Sequence, residues 1–180
     1  MKLLLHACCG PCFLGVWTEL STHEDIETTL YYLNPNIYPE SEYEKRYDNL
    51  VKASTGKVKQ LIKLDYQRDL FSKTVAKEYS AYPGRCLECY RLRLENVAEY
   101  AVENGYNAFS TTLLVSPYQQ HDKLKIIAED IAKKYQITFY YFDWRPHFRD
   151  GQKEARQAEL YLQKYCGCEY SLEEASKTKK

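Results

Sequence analysis

The segment Lys2–Cys12, which reads KLLLHACCGPC, places a short apolar run directly before a cluster of cysteines. The run Lys2–His6 is continuous rather than alternating, which predicts a buried strand. In an open parallel sheet, ligands bind beyond the carboxyl ends of the strands. Cys8, Cys9 and Cys12 therefore follow the first predicted strand at the edge where such a fold carries its site.

Apolar and aromatic runs alternate with amphipathic stretches along the rest of the chain. The predicted strands are Lys2–His6, Thr28–Leu33, Gln60–Leu64, Ala108–Leu114 and Ile137–Trp144. Helices are predicted between them, and a further helix is predicted over Gln152–Lys164. Repeated strand–helix units predict an α/β fold: a Rossmann-like parallel sheet of about five strands with helices on both faces, and a helical C-terminal segment. We expect one domain over residues 1–172 and a flexible tail over 173–180.

Chain length, net charge and the first residues limit what kind of protein this is. The 180 residues are enough to bury an apolar core without disulfide or metal support. Lys and Arg number 25, as do Asp and Glu, so an anionic partner must be held by a local patch. The chain starts with only three consecutive leucines before His6, fewer than a signal peptide or a membrane span requires. We therefore expect a soluble, cytoplasmic protein that has no membrane segment and whose thiols are kept reduced.

The seven cysteines form three clusters, and an odd number in a reducing compartment favours metal binding or redox chemistry over a disulfide framework. The clusters are Cys8, Cys9 and Cys12; Cys86 and Cys89; and Cys166 and Cys168. Cys86 and Cys89 share one face of a predicted helix, where the helix start and Arg85 favour the thiolate. An all-cysteine set suits zinc or an iron–sulfur cluster.

Cys166 and Cys168 are separated by a single glycine, Gly167, which permits unusual backbone angles. Two thiols this close can form a strained disulfide, and strained disulfides are the labile, catalytic kind. The pair is therefore predicted to be redox-active. A role as two metal ligands is the alternative that the spacing leaves open.

Other motifs point to RNA rather than to nucleotide-dependent catalysis. The chain contains no Walker loop, no G-x-G-x-x-G and no G-x-S-x-G, which disfavours an ATP-dependent enzyme or a serine hydrolase. Arginines and lysines lie beside tyrosines in two regions, which is the composition that an RNA-loop binder needs. Solvated helix faces and core tyrosines explain most of these residues equally well. These basic residues are Arg85, Arg91 and Arg93, followed by Arg145, Arg149, Lys153 and Arg156.

Six segments together resemble the epoxyqueuosine reductases of the QueH type, from Lys2 to about Leu172. They are LLHACCGPC, YYLNPNIYP, PGRCLECYRLRL, STTLLVSPYQ, FDWRPHFRDG and YLQKYCGCEYS. The resemblance implies reduction of the epoxide of epoxyqueuosine to queuosine at the wobble position of tRNA. It also implies a [4Fe–4S] cluster bound by Cys8, Cys9, Cys86 and Cys89. Cys166 and Cys168 match the pair regarded as redox-active in that family.

Four points stay open at this level. A second, mononuclear iron bound through Cys12 and its neighbours is an additional expectation. The reaction needs an electron donor, which the sequence does not identify, and a proton donor, for which Asp143, Tyr90 and His6 are candidates; Asp143 closes the fifth predicted strand. The alternatives in function are a zinc-stabilised tRNA-binding module and a general thiol–disulfide oxidoreductase that uses Cys166 and Cys168.

Overall fold

The centre of the fold is a sheet of five strands, all of them parallel. The computed structural model describes residues 1–76 and 83–177. The strands are β1 (Lys2–His6), β2 (Glu27–Tyr32), β3 (Gln60–Lys63), β4 (Ala108–Thr111) and β5 (Thr138–Phe139). They are arranged in the order β3-β2-β1-β4-β5, so β1 has a neighbour on each side. Leu3, Leu4 and Leu5 are fully buried, as expected for a central strand that is covered on both faces.

Seven α-helices of the described residues connect and cover the strands. They are α1 (Gly10–Leu20), α2 (Glu40–Ser54), α3 (Arg68–Phe71), α4 (Gly84–Glu103), α5 (His121–Tyr135), α6 (Phe148–Gln157) and α7 (Glu169–Lys177). Helix α1 packs against α2 and α6, while α4 packs against α5. The predicted α/β fold with a five-stranded parallel sheet is confirmed. Within the two described stretches, no helix is long and apolar enough to cross a membrane.

The two strands on one side of β1 are shorter than the sequence predicts. Strand β4 stops at Thr111, because the Thr111 hydroxyl accepts a hydrogen bond from the Leu113 amide and caps a 3-10 turn over Thr112–Val115. Strand β5 pairs only with β4, so it loses its partner where β4 turns away. The prediction of a strand over Ile137–Trp144 is therefore wrong beyond Phe139.

The carboxyl-terminal segment also differs from the prediction. The helix predicted over Gln152–Lys164 ends at Gln157, because Glu159 adopts a left-handed conformation and the Leu160 amide bonds back to the Ala155 carbonyl. Helix α7 then continues to Lys177, through most of the expected flexible tail. Residues 178–180 lie outside the described residues, as do residues 77–79 of a helix predicted over Gln67–Tyr79.

Candidate metal centre and cavity

The carboxyl ends of β1 and β4 lie at the point where the strand order reverses, which is where ligands bind in sheets of this kind. The loop after β1 carries Cys8, and the turn after β4 carries Thr112. The Thr112 hydroxyl accepts a hydrogen bond of 3.0 Å from the Cys8 amide and lies 3.3 Å from the Cys8 sulfur. The two loops are thus joined directly at the candidate site.

Cys8, Cys9 and Cys12 form a compact group, here called the cysteine trio, whose sulfurs all lie within 4.8 Å of one another. Cys9 and Cys12 are buried and Cys8 is half-buried. The sulfurs of Cys8 and Cys9 are 3.7 Å apart. Two thiolates bound to one tetrahedral ion by bonds of 2.3 Å would be about 3.8 Å apart. The trio therefore has the donor type and the spacing of a site for a single soft metal ion.

The backbone of the trio is fixed by the start of α1. The Phe13 amide bonds to the Cys9 carbonyl at 3.1 Å, so the helix begins between the cysteines. Gly10 lies so close to α2 that a Cβ atom there would be 2.8 Å from the Asn49 carbonyl oxygen. Only glycine fits this close approach without displacing the helix backbone. The sequence G-P-C therefore turns the chain tightly enough for adjacent cysteines to share a site.

The three thiols of the trio differ in protonation. Hydrogen bonds from Cys12 and Cys9 lower the pKa of Cys8 well below its usual range. The same interaction with Cys8 raises the pKa of Cys12, and burial raises the pKa of Cys9. Cys8 is thus the thiol of the trio that loses its proton most readily, and a bound metal ion would take the place of the thiol protons.

The remaining four cysteines form a second group between α4 and α7. Cys86 and Cys89 lie in the first turns of α4, and Cys89 and Cys168 pack with a small apolar cluster that includes Phe71. Burial raises the pKa of Cys86 to about 11 and that of Cys89 to about 12. The expectation that the helix start and Arg85 favour thiolates here is therefore wrong for the metal-free chain, because desolvation outweighs both effects.

A cavity of about 860 Å³ brings the two groups together. Five of the seven cysteines line it, and Cys9 and Cys89 lie outside its lining. The lining cysteines are Cys8, Cys12, Cys86, Cys166 and Cys168. Among the described residues, only the trio forms a group of three or more metal-ligating side chains at metal-binding distance. Of the predicted ligands in α4, Cys86 therefore lines the cavity and Cys89 lies outside its lining, and neither sulfur joins the trio.

Three buried arginines line the same cavity. Arg46 extends from α2 and donates to the carbonyls of Tyr165 and Cys166. Arg85 pairs with Glu174 of α7. Arg93 extends from α4 and donates from Nε to the Cys89 carbonyl. The cavity therefore combines thiols with fixed positive charge, which suits an anionic metal–thiolate centre or an anionic ligand.

Comparison with known proteins identifies the family of the chain. A family model described as Epoxyqueuosine reductase QueH matches residues 3–174. The chain belongs to the epoxyqueuosine reductase QueH family. The resemblance drawn from the six sequence segments is thereby confirmed.

Curated relatives of the family carry the name epoxyqueuosine reductase QueH. The protein of Dehalococcoides mccartyi is 35% identical over 174 residues, covering 94% of this chain and 92% of the relative. The Haemophilus influenzae protein is 33% identical over 184 residues, covering 98% and 74%. The Histophilus somni protein is 34% identical over 184 residues, with the same coverage of 98% and 74%. The similarity thus extends over nearly the whole chain.

The three proton-donor candidates of this QueH family member have very different surroundings. Tyr90 lines the cavity, and its hydroxyl donates to Gln119 at 2.8 Å. His6 is buried outside the cavity lining between Thr111 and Leu33, and burial lowers its pKa to about 4. Asp143 also lies outside the lining.

A pair of short hydrogen bonds from Arg145 holds the Asp143 carboxylate, with distances of 2.8 and 2.6 Å. These bonds lower the pKa of Asp143 to about 2. Only Tyr90, of the three candidates, therefore has direct access to the cavity. A catalytic role for Asp143 stays a prediction.

Three residues that position the site received no role in the sequence analysis. Arg46 and Asn49 lie on α2, and Asn49 exchanges two hydrogen bonds of 2.9 Å with the backbone of Tyr161. The Gln163 amide nitrogen lies 2.8 Å from the Cys9 sulfur. Gln163 lies within YLQKYCGCEYS, one of the segments that carry the family resemblance, so its position in the sequence indicates a part in the site. No such indication exists for Arg46 and Asn49, because α2 has the composition of an ordinary charged surface helix.

Proposed function

We propose that this protein is an iron–sulfur oxidoreductase that reduces the epoxide of epoxyqueuosine to queuosine at the wobble position of tRNA, in the cytoplasm. The observation that carries the proposal is the cavity lined by Cys8 and Cys12 of the trio, by Cys86 and by the Cys166–Cys168 pair. Membership of the QueH family supplies the reaction and the tRNA substrate. Reductive cleavage of a C–O bond needs a source of electrons, and thiolate-bound iron together with a dithiol in one cavity would supply it.

The donor set of the cavity fits a thiolate-bound metal. All ligand candidates are cysteines, and soft metals such as iron and zinc select thiolate. We propose that Cys8, Cys9, Cys86 and Cys89 hold a [4Fe–4S] cluster, as the family resemblance implies. Cys12 lies within 4.8 Å of Cys8 and Cys9, which supports a second, mononuclear iron at the trio. When bound, such iron supplies electrons singly and Lewis acidity toward an oxygen.

The chain's own residues can supply the electrons and protons of the reaction. Reduction of the epoxide to the alkene breaks two C–O bonds, forms a C=C bond and consumes two electrons and two protons, and the oxygen leaves as water. Oxidation of the dithiol of Cys166 and Cys168 to a disulfide releases two electrons and two protons. Gly167 between them has a φ of 137°, a conformation that favours glycine. A separate electron donor then reduces the disulfide for the next turnover.

The rim of the cavity has the features of an RNA-binding surface. Tyr118 is 82% exposed, and its ring contacts Phe148 edge-on with 5.8 Å between centroids. Arg149, Arg156 and Lys164 line the same cavity, and in the described part of the chain none of them forms an ion pair. Free cations that bind phosphates beside an exposed ring that stacks on a base are the usual means of holding single-stranded RNA.

The trio also supports a second candidate function, a zinc-stabilised tRNA-binding module without redox turnover. The 3.7 Å between the Cys8 and Cys9 sulfurs matches one tetrahedral ion, and zinc is the commonest structural ion in such sites. The two candidates differ in metal and in colour. Brown protein with iron and sulfide supports the reductase, and colourless protein with stoichiometric zinc supports the binding module.

The decisive experiment incubates anaerobically purified protein with tRNA that carries epoxyqueuosine and a chemical reductant, followed by nucleoside analysis. We expect conversion to queuosine that increases with enzyme concentration. The matched control is the Cys8→Ser variant under the same conditions, which lacks one trio ligand. Iron-loaded wild-type protein that binds the tRNA and forms no queuosine would contradict the proposal.

A further inference from the structure

The three buried arginines of the cavity differ in how their charge is balanced. The Arg46 guanidinium lies 2.8 Å from the Glu42 carboxylate, and Arg85 pairs with Glu174. Arg93 has no carboxylate partner in residues 1–76 and 83–177, although it is only 2% exposed. The same cavity therefore contains two neutralised arginines and one whose charge is not balanced by an acidic side chain.

The contacts of Arg93 leave one end of its guanidinium group available. Its Nε donates to the Cys89 carbonyl at 3.1 Å, and its guanidinium carbon lies 6.0 Å from the centre of the Tyr90 ring. Its Nη2 is buried and has no hydrogen-bond partner among the described residues, cysteine sulfurs included. Arg93 also lines the cavity, so the unpartnered Nη2 belongs to a side chain beside the space that a ligand would occupy.

A buried guanidinium with one donor nitrogen left without an acceptor is unfavourable, since arginine stays protonated in proteins and cannot discharge by losing its proton. Buried donors of this kind in native structures call for a functional explanation. The charge of Arg93 acts on Cys8, Cys89 and Cys166, which belong to three different cysteine clusters. A ligand atom beside Arg93 would therefore share the cavity with Cys8 and Cys166.

We propose that Arg93 is a catalytic residue that binds the epoxide oxygen, with Nη2 donating a hydrogen bond to that oxygen. This inference rests on the proposed function. As the two C–O bonds break, negative charge develops on the oxygen, and a fixed buried cation stabilises it most where water is excluded. Arg93 keeps its own protons. The Cys166–Cys168 dithiol supplies the two electrons and two protons and becomes a disulfide, and the oxygen leaves as water.

The test compares two anticodon stem-loops that differ by this one oxygen atom, one with epoxyqueuosine and one with queuosine. Binding to oxidised holoenzyme is measured without a reductant, so that no turnover occurs. We expect wild-type protein to prefer the epoxide form by about tenfold, the usual value of a hydrogen bond to a charged group. Arg93→Met should bind both stem-loops equally, with metal content and visible absorbance unchanged.

Two further variants complete the experiment. Arg91→Met removes an exposed arginine from the same helix, where it pairs with Glu88 outside the cavity, and should keep the wild-type preference. Arg93→Lys keeps the charge but lacks the planar fork, and should retain its metal with a reduced preference. If Arg93→Met does not hold its metal, the stem-loop preference of Arg93→Lys is used to test the inference instead.

An unchanged preference for the epoxide form in Arg93→Met, or in Arg93→Lys where that variant decides, would overturn the inference. Wild-type protein that reduces the epoxide and binds both stem-loops equally would also overturn it, while leaving the proposed function intact. Wild-type protein that holds iron and binds tRNA without reducing the epoxide would refute the proposed function itself.

Discussion

The cysteine trio and the Cys166–Cys168 pair lie at one cavity but are held in different ways. The trio lies between a strand whose residues after Lys2 are buried and the first turn of a helix, where Gly10 closely approaches the backbone of α2. The pair lies in a loop whose carbonyls are held by Arg46 and whose Gly167 carbonyl accepts from the Tyr38 amide. Backbone packing suits a fixed metal site, whereas a loop held by side chains and centred on a glycine suits bond formation and cleavage.

The largest effect should come from the trio. Cys8→Ser removes a sulfur of the trio that also lines the cavity, so we expect loss of most bound metal and of all reduction. Metal analysis and nucleoside analysis of the same sample measure both. Cys166→Ser is the matched control and should keep its metal. Full metal content in Cys8→Ser would remove the trio from the ligand set.

The next largest effect shows whether the metal site extends beyond the trio to Cys86 and Cys89. Cys86→Ala and Cys89→Ala should each remove most of the cluster iron, although neither sulfur belongs to the trio. The physical reason is that a cluster needs ligands from both sides of the cavity, and Cys86 lines it from α4. Iron determination checks the prediction. Normal iron in both variants would restrict the metal site to the trio and favour a single ion.

The redox pair should show a different pattern. Cys166→Ser and Cys168→Ser should leave the metal bound and stop repeated turnover, because the second sulfur of the relay is missing. Iron content and product formation with excess tRNA are measured together. Loss of iron in either variant would mean that these cysteines are metal ligands, like those of the trio, and not a separate redox pair.

A smaller effect is expected at the rim. Tyr118→Ala should weaken binding of the anticodon stem-loop about tenfold, since one base stacked on an aromatic ring contributes roughly 1–3 kcal/mol. Tyr118→Phe should bind like wild type. Tyr141→Ala is the control, because Tyr141 is 37% exposed and lies outside the cavity lining. Equal weakening by both alanine variants would argue against a specific role for Tyr118. Metal content should not change in any of them.

The smallest effect concerns salt. The net charge is zero, and the unpaired cations of the rim are few. The affinity for tRNA should therefore fall only shallowly with salt concentration, as expected for a few neutralised phosphates. Titrations at several ionic strengths give the slope. A slope that corresponds to about ten phosphates would require a second basic surface.

The sequence predicts the central part of the fold better than its edge. Strand β1 and the cysteines after it are predictable because a continuous apolar run and a tight G-P turn are local signals. The early end of β5 is not, because it depends on a turn in the neighbouring strand. The path of residues 158–168 depends on Asn49 and Arg46, which lie more than a hundred positions away.

For the site, too, local sequence features are predictable and long-range packing is not. The three cysteine clusters and the arginines near them are visible in the sequence, and their convergence follows from strand polarity. The absence of a carboxylate partner for Arg93 within the described chain, and the seclusion of His6 from the cavity, depend on packing between distant elements. Hence the sequence identifies the chemistry of the site, and the fold decides which groups reach the substrate.

The most direct test of the division between trio and pair is a single-turnover experiment. Wild-type enzyme is reduced anaerobically, freed of reductant and mixed with excess tRNA carrying epoxyqueuosine, and queuosine and free thiols are counted together. We expect about one queuosine per chain, formed as the thiols of Cys166 and Cys168 disappear, with the metal still bound. Queuosine formed while both thiols stay free would contradict it.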